Sequence, residues 1–282
     1  MVVLMHACEP TSDQSDGRLT ILTTIPPLYS FTKNIAGDIA NVENLLPNGA
    51  GPHDYAFGPA DIKKVTKARI IIKNGLGLET WLDRLLVSAE ENAAAVGHDL
   101  FIVDSSSGIE VKDNDPHIWL SPAKAVAQVK NIRDALIRID TVNAEVYSRN
   151  ASVYINRLQS LNNEINLAVS TFKRREFVAL HSAFTYFADD YGLKQAAVIQ
   201  GSPDITSSPT RIAEVINLIR ERDIKAIFSE PGSSHNIVNS IADDLGLEVH
   251  ALDTLETGSL SKDWYENKMR ANLEVLRAAL NK

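Results

Sequence analysis

Four side chains of this sequence have the types and positions expected of a metal site. They are three histidines and one aspartate, namely His53, His117, His181 and Asp253. The intervals between them are 64, 64 and 72 residues (117−53, 181−117 and 253−181), and no local chelating motif such as HExxH occurs. Three imidazoles and one carboxylate form a closed four-coordinate set that suits zinc or a similar divalent ion. The residue types predict a metal site, and the long intervals require the tertiary structure to assemble it.

The positions of these side chains along the chain support the same hypothesis. Each of the four lies at the carboxyl end of a predicted strand, soon after one, or at the entrance of a predicted helix. Open α/β sheets present their ligand-binding groups at those places. Two of the four come from each half of the chain, so they can meet only in a cleft between two lobes. Any one of these histidines alone would more readily be a structural residue, and the hypothesis depends on all four occupying equivalent positions.

The elements that must position these residues alternate between strand and helix. From Leu19 onward, short β-rich runs are interleaved with helical patterns, which predicts parallel sheets built from βα units. The runs form two groups of four, at 19–25, 42–47, 68–74 and 100–105, and at 177–181, 195–200, 225–230 and 247–253. We therefore expect an α/β protein with two (βα)4 lobes, each with a four-stranded, mainly parallel sheet. The predicted domains are a leader at 1–18, an N-terminal lobe at 19–141, a linking helix at 142–173 and a C-terminal lobe at 174–282.

A long helix is predicted between the two groups of strands. The segment 142–176 contains no glycine and no proline. Its apolar and aromatic residues recur four and three positions apart, at Tyr147, Ala151, Tyr154, Leu158, Leu161, Ile165, Ala168 and Phe172. This spacing is typical of one face of an amphipathic helix. A helix of about 30 residues would span roughly 45 Å and act as a rigid spacer. A shorter helix is expected to precede it, with Ser121 as its N-cap and Pro122 at its first position.

The composition is that of a soluble globular protein with an acidic surface. Of the 282 residues, 44% are hydrophobic and 23% are charged, and the net charge is −8. Nucleic-acid binding requires clustered lysines and arginines, so this charge argues against a nucleic-acid partner. No apolar run reaches the roughly 18 residues of a transmembrane helix.

The single cysteine, Cys8, leaves no partner for an intrachain disulfide and cannot form a cysteine-based metal site. It follows the short, mostly apolar stretch 1–7 and precedes a polar segment without periodicity. This arrangement resembles the end of a bacterial lipoprotein signal, in which the cysteine is lipidated. The stretch lacks a positively charged n-region, so a stray cysteine in a disordered leader remains the alternative.

Several segments resemble the zinc/manganese-type solute-binding proteins of bacterial ABC importers. The matching elements are PHDYAFGPADIKK, DPHIWLSPAKA, FVALHSAFTYFADDYGL and LDTLETGSLSKDWYENKM, and they occur in the family's order. The resemblance implies two (βα)4 lobes joined by one long helix, and metal ligands at His53, His117, His181 and Asp253. It also implies an extracytoplasmic protein in the periplasm or on the cell surface, anchored through a lipid on Cys8. Its partners would be the metal ion and an ABC permease in the cytoplasmic membrane, and it would act as a monomer and not as an enzyme.

The sequence departs from this family pattern at several positions. Ala56 stands where an acidic or amide residue is common, and Ser182 stands where aspartate is frequent. The turn EPGSSHN at 230–236 replaces the usual EPQ type, and segment 104–115 lacks the His-rich insertion of many zinc importers. Three imidazoles favour zinc over manganese, and the missing insertion keeps manganese as the alternative ion.

One more residue, Glu230, is a candidate for the site, and two functions other than metal transport are considered. Glu230 follows a predicted strand and is a candidate to orient a ligand histidine by accepting its second N–H, or it is a solvated turn residue. The same His/Asp cluster could serve a mononuclear metallohydrolase, but catalytic zinc usually keeps one position for water. Four protein ligands therefore favour binding over catalysis. A surface adhesin is the third function considered.

Overall fold

The computed structural model describes residues 17–87, 89, 99–200, 208–232 and 236–282. Its first sheet consists of β1 (Leu19–Thr23), β2 (Ala40–Asn44), β3 (Ile70–Lys73) and β4 (Phe101–Asp104), in the order β2-β1-β3-β4. The second sheet consists of β5 (Glu176–Ala179), β6 (Lys194–Val198), β7 (Ala226–Ser229) and β8 (Val249–Ala251), in the order β6-β5-β7-β8. The two orders are equivalent, and every strand pairing in the described residues is parallel. The expected class and the two four-stranded sheets are thereby confirmed.

The helices lie between and after the strands. The N-terminal half contains α1 (Pro26–Ala36), α2 (Pro59–Lys67), α3 (described at 82–87), a 3-10 turn at Ile118–Leu120 and α4 (Pro122–Ile139). A second 3-10 turn, Thr141–Asn143, leads into α5 (Ala144–Ser170). The C-terminal half contains α6 (Thr185–Tyr191), α7 (Pro209–Glu221), α8 (Asn236–Leu245) and α9 (Trp264–Leu280). None of the described helices is both long enough and apolar enough to cross a membrane.

Helix α5 is the predicted long helix. Its 27 residues correspond to about 40 Å, and the predicted apolar positions are all buried. The helix ends at Ser170. Phe172, the last of the predicted positions, lies two residues beyond this end and is also buried. The capping prediction is also confirmed, because the Ser121 side chain accepts a hydrogen bond from the backbone N–H of Lys124 and Pro122 begins α4.

The C-terminal helix α9 packs on elements from the other half of the chain. Phe31 of α1 lies 4.8 Å from Tyr265 of α9 and 6.1 Å from Tyr154 of α5, measured between ring centroids. All three rings belong to one continuous buried cluster that also includes strands of both sheets. A separate cluster lies between the second sheet and helices α7 and α8, with Val178, Val215 and Val238 among its members. The linking helix and α9 therefore hold the two sheets around a shared core.

Polar contacts from α6 also join the two lobes along the seam between them. Asp190 accepts hydrogen bonds from Ser121 and, at 3.2 Å, from the ammonium group of Lys124. Asp189 is paired with Lys112. These contacts lie next to the segment that follows β5, so they fix that segment against the N-terminal lobe.

Candidate metal centre

Three of the four predicted residues meet in the seam between the lobes, together with a glutamate. Each of His53, His117, His181 and Glu256 offers one ligand atom, and these atoms all lie within 4.8 Å of one another. Glu256 Oε1 lies 2.7 Å from Nε2 of His117 and 3.0 Å from Nε2 of His53. The Nε2 atoms of His117 and His181 are 3.2 Å apart. The group therefore presents three imidazole nitrogens and one carboxylate oxygen to a common point.

His53 is held by the loop between β2 and α2. The indole N–H of Trp81 donates to the carbonyl oxygen of Pro52 at 2.7 Å, which anchors the backbone immediately before the histidine. The Tyr55 ring packs edge-on against Trp81, with ring centroids 5.1 Å apart. The His53 side chain is 23% exposed and is the most accessible of the four. It therefore forms the solvent side of the group.

His117 is oriented by Asp115, which is almost completely buried. Its Oδ1 lies 2.6 Å from Nδ1 of His117 and accepts the backbone N–H of the same residue at 2.8 Å. An ionised carboxylate only accepts, so Nδ1 carries a proton. Nε2 is the ring nitrogen that faces Glu256 and the other histidines. The other oxygen of Asp115 accepts the backbone N–H of Thr185, at the start of α6, at 3.1 Å. One carboxylate thus orients His117 and ties its loop to the C-terminal lobe.

His181 lies just after β5 and is 3% exposed. Its backbone carbonyl accepts a hydrogen bond from the Gln195 side chain at 3.1 Å. Its Nδ1 is buried and makes no hydrogen bond with the described residues. Glu230, which follows β7, has its Oε1 3.8 Å from that nitrogen, a distance too long for a hydrogen bond. The structure places Glu230 beside His181, without the hydrogen bond that would orient its ring.

Asp253, the fourth residue predicted from the sequence, is not part of the group of four. One of its oxygens accepts the backbone N–H of Leu255 at 2.8 Å, and the other lies 2.8 Å from the ammonium group of Lys268. The backbone of Asp253 is bonded on both sides by the Asn272 side chain, at 2.9 Å and 2.7 Å. Asp253 therefore shapes the loop after β8, and Glu256, three residues later, supplies the carboxylate.

The loop presents Glu256 through an unusual backbone conformation. Leu255 has a φ of 59°, in the left-handed region that β-carbon-bearing residues rarely adopt, and its side chain is fully buried. The carbonyl of Thr254 accepts the indole N–H of Trp119 at 2.8 Å. These contacts turn the chain so that Glu256 points at the histidines. The only sequence signal for this residue was a second carboxylate in the segment LDTLETG.

The charges of the group influence one another strongly. Burial alone would lower the pKa of His117, but hydrogen bonds to Asp115 and Glu256 raise it to about 9. Burial and the neighbouring His117 charge lower the pKa of His181 to about 4. Burial would raise the pKa of Glu256, yet hydrogen bonds from His117 and His53 hold it well below its usual range. Burial, with the Glu256 charge, raises the pKa of Glu230 to about 7. Glu256 is therefore ionised over the neutral range.

A cleft of about 490 Å³ adjoins the group on its solvent side. Four carboxylate residues, three glycines and one lysine are among the residues that line it. The full lining is Gly49, Gly51, His53, Asp54, Glu230, Pro231, Gly232, Asp253, Thr254, Glu256, Thr257 and Lys268. A divalent cation fits the donor set, since three imidazole nitrogens and one carboxylate satisfy a tetrahedral ion. Cys8 lies outside the described residues.

Comparisons with known proteins identify the family of this chain. The family model described as ZnuA, the periplasmic component A of zinc-uptake complexes, matches residues 21–279. The zinc-binding lipoprotein AdcA of Streptococcus pneumoniae strain R6 is 34% identical over 292 residues, which cover 98% of this chain and 58% of AdcA. The chain thus spans little more than half the length of that relative.

Another relative matches over nearly its whole length. The high-affinity zinc uptake system protein ZnuA of Bacillus subtilis strain 168 is 32% identical over 308 residues, covering 99% of this chain and 94% of ZnuA. Among solved structures, the Zn(II)-bound ZnuA-like domain of Streptococcus pneumoniae AdcA has a TM-score of 0.80 and 32% identity, covering 94% of this chain and all of that domain. These matches show that this chain belongs to the ZnuA family of zinc-uptake component A proteins.

Proposed function

We propose that this protein is the extracytoplasmic solute-binding component of an ABC importer and that its cargo is a zinc ion. The observation that carries the proposal is the cluster itself, in which His53, His117, His181 and Glu256 offer four atoms within 4.8 Å of one another. Family membership supports the transport role, and an ABC permease in the cytoplasmic membrane is the partner that receives the ion. The ion is a transported substrate, bound and released unchanged.

Zinc is the preferred ion on the chemistry of the donors. Imidazole nitrogens suit zinc, whereas manganese favours carboxylate and water oxygens, and a generic site also binds zinc more tightly than manganese. Glu256 directs only Oε1 at the histidines within hydrogen-bond distance, which favours a coordination number of four. Catalysis by the same cluster is disfavoured, because a metallohydrolase needs a position for water that this set does not leave.

Titration of metal-free protein with zinc tests the proposal. We expect one ion per chain, and a rise in thermal stability because the ion binds only the folded state. At a free zinc concentration about 1,000 times the dissociation constant, this stabilisation amounts to about 4 kcal/mol. His181→Ala should lose most of the binding and most of the stabilisation. Wild-type stoichiometry and affinity in His181→Ala would contradict the site, and manganese displacing zinc at equal concentrations would contradict the choice of ion.

Membrane attachment through Cys8 is a separate part of the proposal. The residue follows a short apolar stretch, and the AdcA relative is named a lipoprotein. One acyl chain gives only marginal membrane binding, so stable attachment requires the additional chains of lipoprotein processing. In a bacterial host that processes lipoproteins, Cys8→Ser should move the protein from the membrane fraction to the soluble fraction. An unchanged distribution would show that Cys8 is not the anchor.

A further inference from the structure

Two carboxylates of one loop line the cleft, and only one of them faces the histidines. Glu256 contacts His117 and His53 through Oε1. Asp253 lines the same cleft, but its Oδ2 lies 2.8 Å from the ammonium group of Lys268 and its Oδ1 accepts the N–H of Leu255. Lys268 is the one lysine or arginine among the described residues that line this cleft. Within the cleft, the Asp253 carboxylate is thus paired with a lysine, whereas the Glu256 carboxylate is directed at two histidines.

The backbone of Asp253 and one of its carboxylate oxygens are held by groups other than Lys268. Asn272, which is 4% exposed, accepts the backbone N–H of Asp253 and donates to its carbonyl oxygen. The hydrogen bond between Oδ1 and Leu255 holds the side chain from within the loop. Lys268 itself is 40% exposed at the rim of the cleft, so its replacement should not disturb the core. Its removal would leave the backbone in place and free one oxygen, Oδ2, toward the cleft.

We propose that Lys268 is a specificity-determining residue that withholds Asp253 from the metal. While Lys268 holds Asp253, the ion has three nitrogens and one carboxylate, which suits zinc. With Lys268 removed, Asp253 becomes a second anionic oxygen donor, and ions that favour oxygen ligands and higher coordination numbers gain most. This inference rests on the proposed function, because it concerns the choice of ion at the same site.

The test compares the manganese and zinc affinities of metal-free Lys268→Met protein with those of the wild type. Each ion is titrated alone and then in competition, and bound Mn²⁺ is followed by electron paramagnetic resonance. We expect the manganese affinity to rise about tenfold relative to that for zinc, since one charged oxygen ligand is added. Arg270→Gln is the matched control: it lies on the same helix and removes a surface contact with Glu164 at 3.0 Å. The control should keep the wild-type ratio.

The double variant Lys268→Met/Asp253→Asn shows whether the effect passes through Asp253. Asparagine retains an oxygen for the Leu255 N–H but lacks the charge that would attract an ion. The double variant should therefore return to the wild-type ratio. An unchanged ratio in Lys268→Met, or a raised ratio that persists in the double variant, would overturn the inference. Lys268→Gln provides a second, polar replacement if the methionine variant does not fold. Wild-type protein that failed to bind zinc would contradict the proposed function, whereas zinc binding with an unchanged ratio in the variants contradicts only this inference.

Discussion

Replacement of Glu256 by glutamine should lower the zinc affinity by more than about 100-fold, because loss of even an outer partner of a metal ligand costs 10–100-fold. The glutamate is buried, and its Oε1 lies within 3.0 Å of two imidazole nitrogens. Glutamine has nearly the same shape but no negative charge to balance the ion, and its amide oxygen is a weaker ligand. Competition with a zinc-selective chelator measures this loss.

Asp253→Asn is the matched comparison for Glu256→Gln. Both changes remove one negative charge from the same loop and the same cleft. Asparagine still offers an oxygen to the Leu255 N–H, so the turn that carries Glu256 is kept. We expect Asp253→Asn to lower the zinc affinity far less than Glu256→Gln does. The reverse order would return Asp253 to the ligand set predicted from the sequence and remove Glu256 from it.

The zinc affinity should rise by about 100-fold between pH 6 and pH 8, since displacement of one proton per ion gives tenfold per pH unit. In the metal-free protein, burial opposes protonation of His117, but hydrogen bonds to Asp115 and Glu256 raise its pKa to about 9. Zinc requires the lone pair on Nε2, so His117 must lose its proton below pH 9. The affinity therefore increases with pH and levels off above pH 9. Burial and the His117 charge lower the pKa of His181 to about 4. His181 is therefore neutral in this pH range and releases no proton when zinc binds.

Calorimetry in two buffers of different protonation enthalpy measures the number of protons released. At pH 7 we expect about one from His117. Glu230, whose pKa is raised to about 7 by burial and by Glu256, can add a fraction of a proton when a cation binds nearby. Glu230→Gln removes that contribution and should leave the release from His117. An affinity that does not change between pH 6 and pH 8 in Glu230→Gln would show that zinc does not displace a proton from His117.

The local patterns of the chain were sufficient to predict the eight strands of the described residues, the long helix and the fold class, although the strand bounds differ by a few residues. Helix α5 was predictable because its apolar spacing is a property of neighbouring residues; seven of the eight predicted positions lie in it, and all eight are buried. The buried strand Ile70–Lys73 was predictable because a short β-branched run between loops is typical of a parallel sheet covered on both faces. The convergence of the three histidines followed from their places at strand ends and helix entrances, where ligand groups of α/β sheets collect.

The identity of the fourth residue of the group and the packing of α9 depended on contacts that no local pattern contains. Asp253 and Glu256 are three residues apart on one loop and are both carboxylates, so the sequence does not distinguish them. The choice depends on Lys268 and Asn272, 15 and 19 residues later on α9, which bind Asp253 and leave Glu256 facing the histidines. The packing of α9 against Phe31 of α1 likewise joins the two ends of the chain in one core. Such contacts are set by the packing of distant elements, and only the tertiary structure could reveal them.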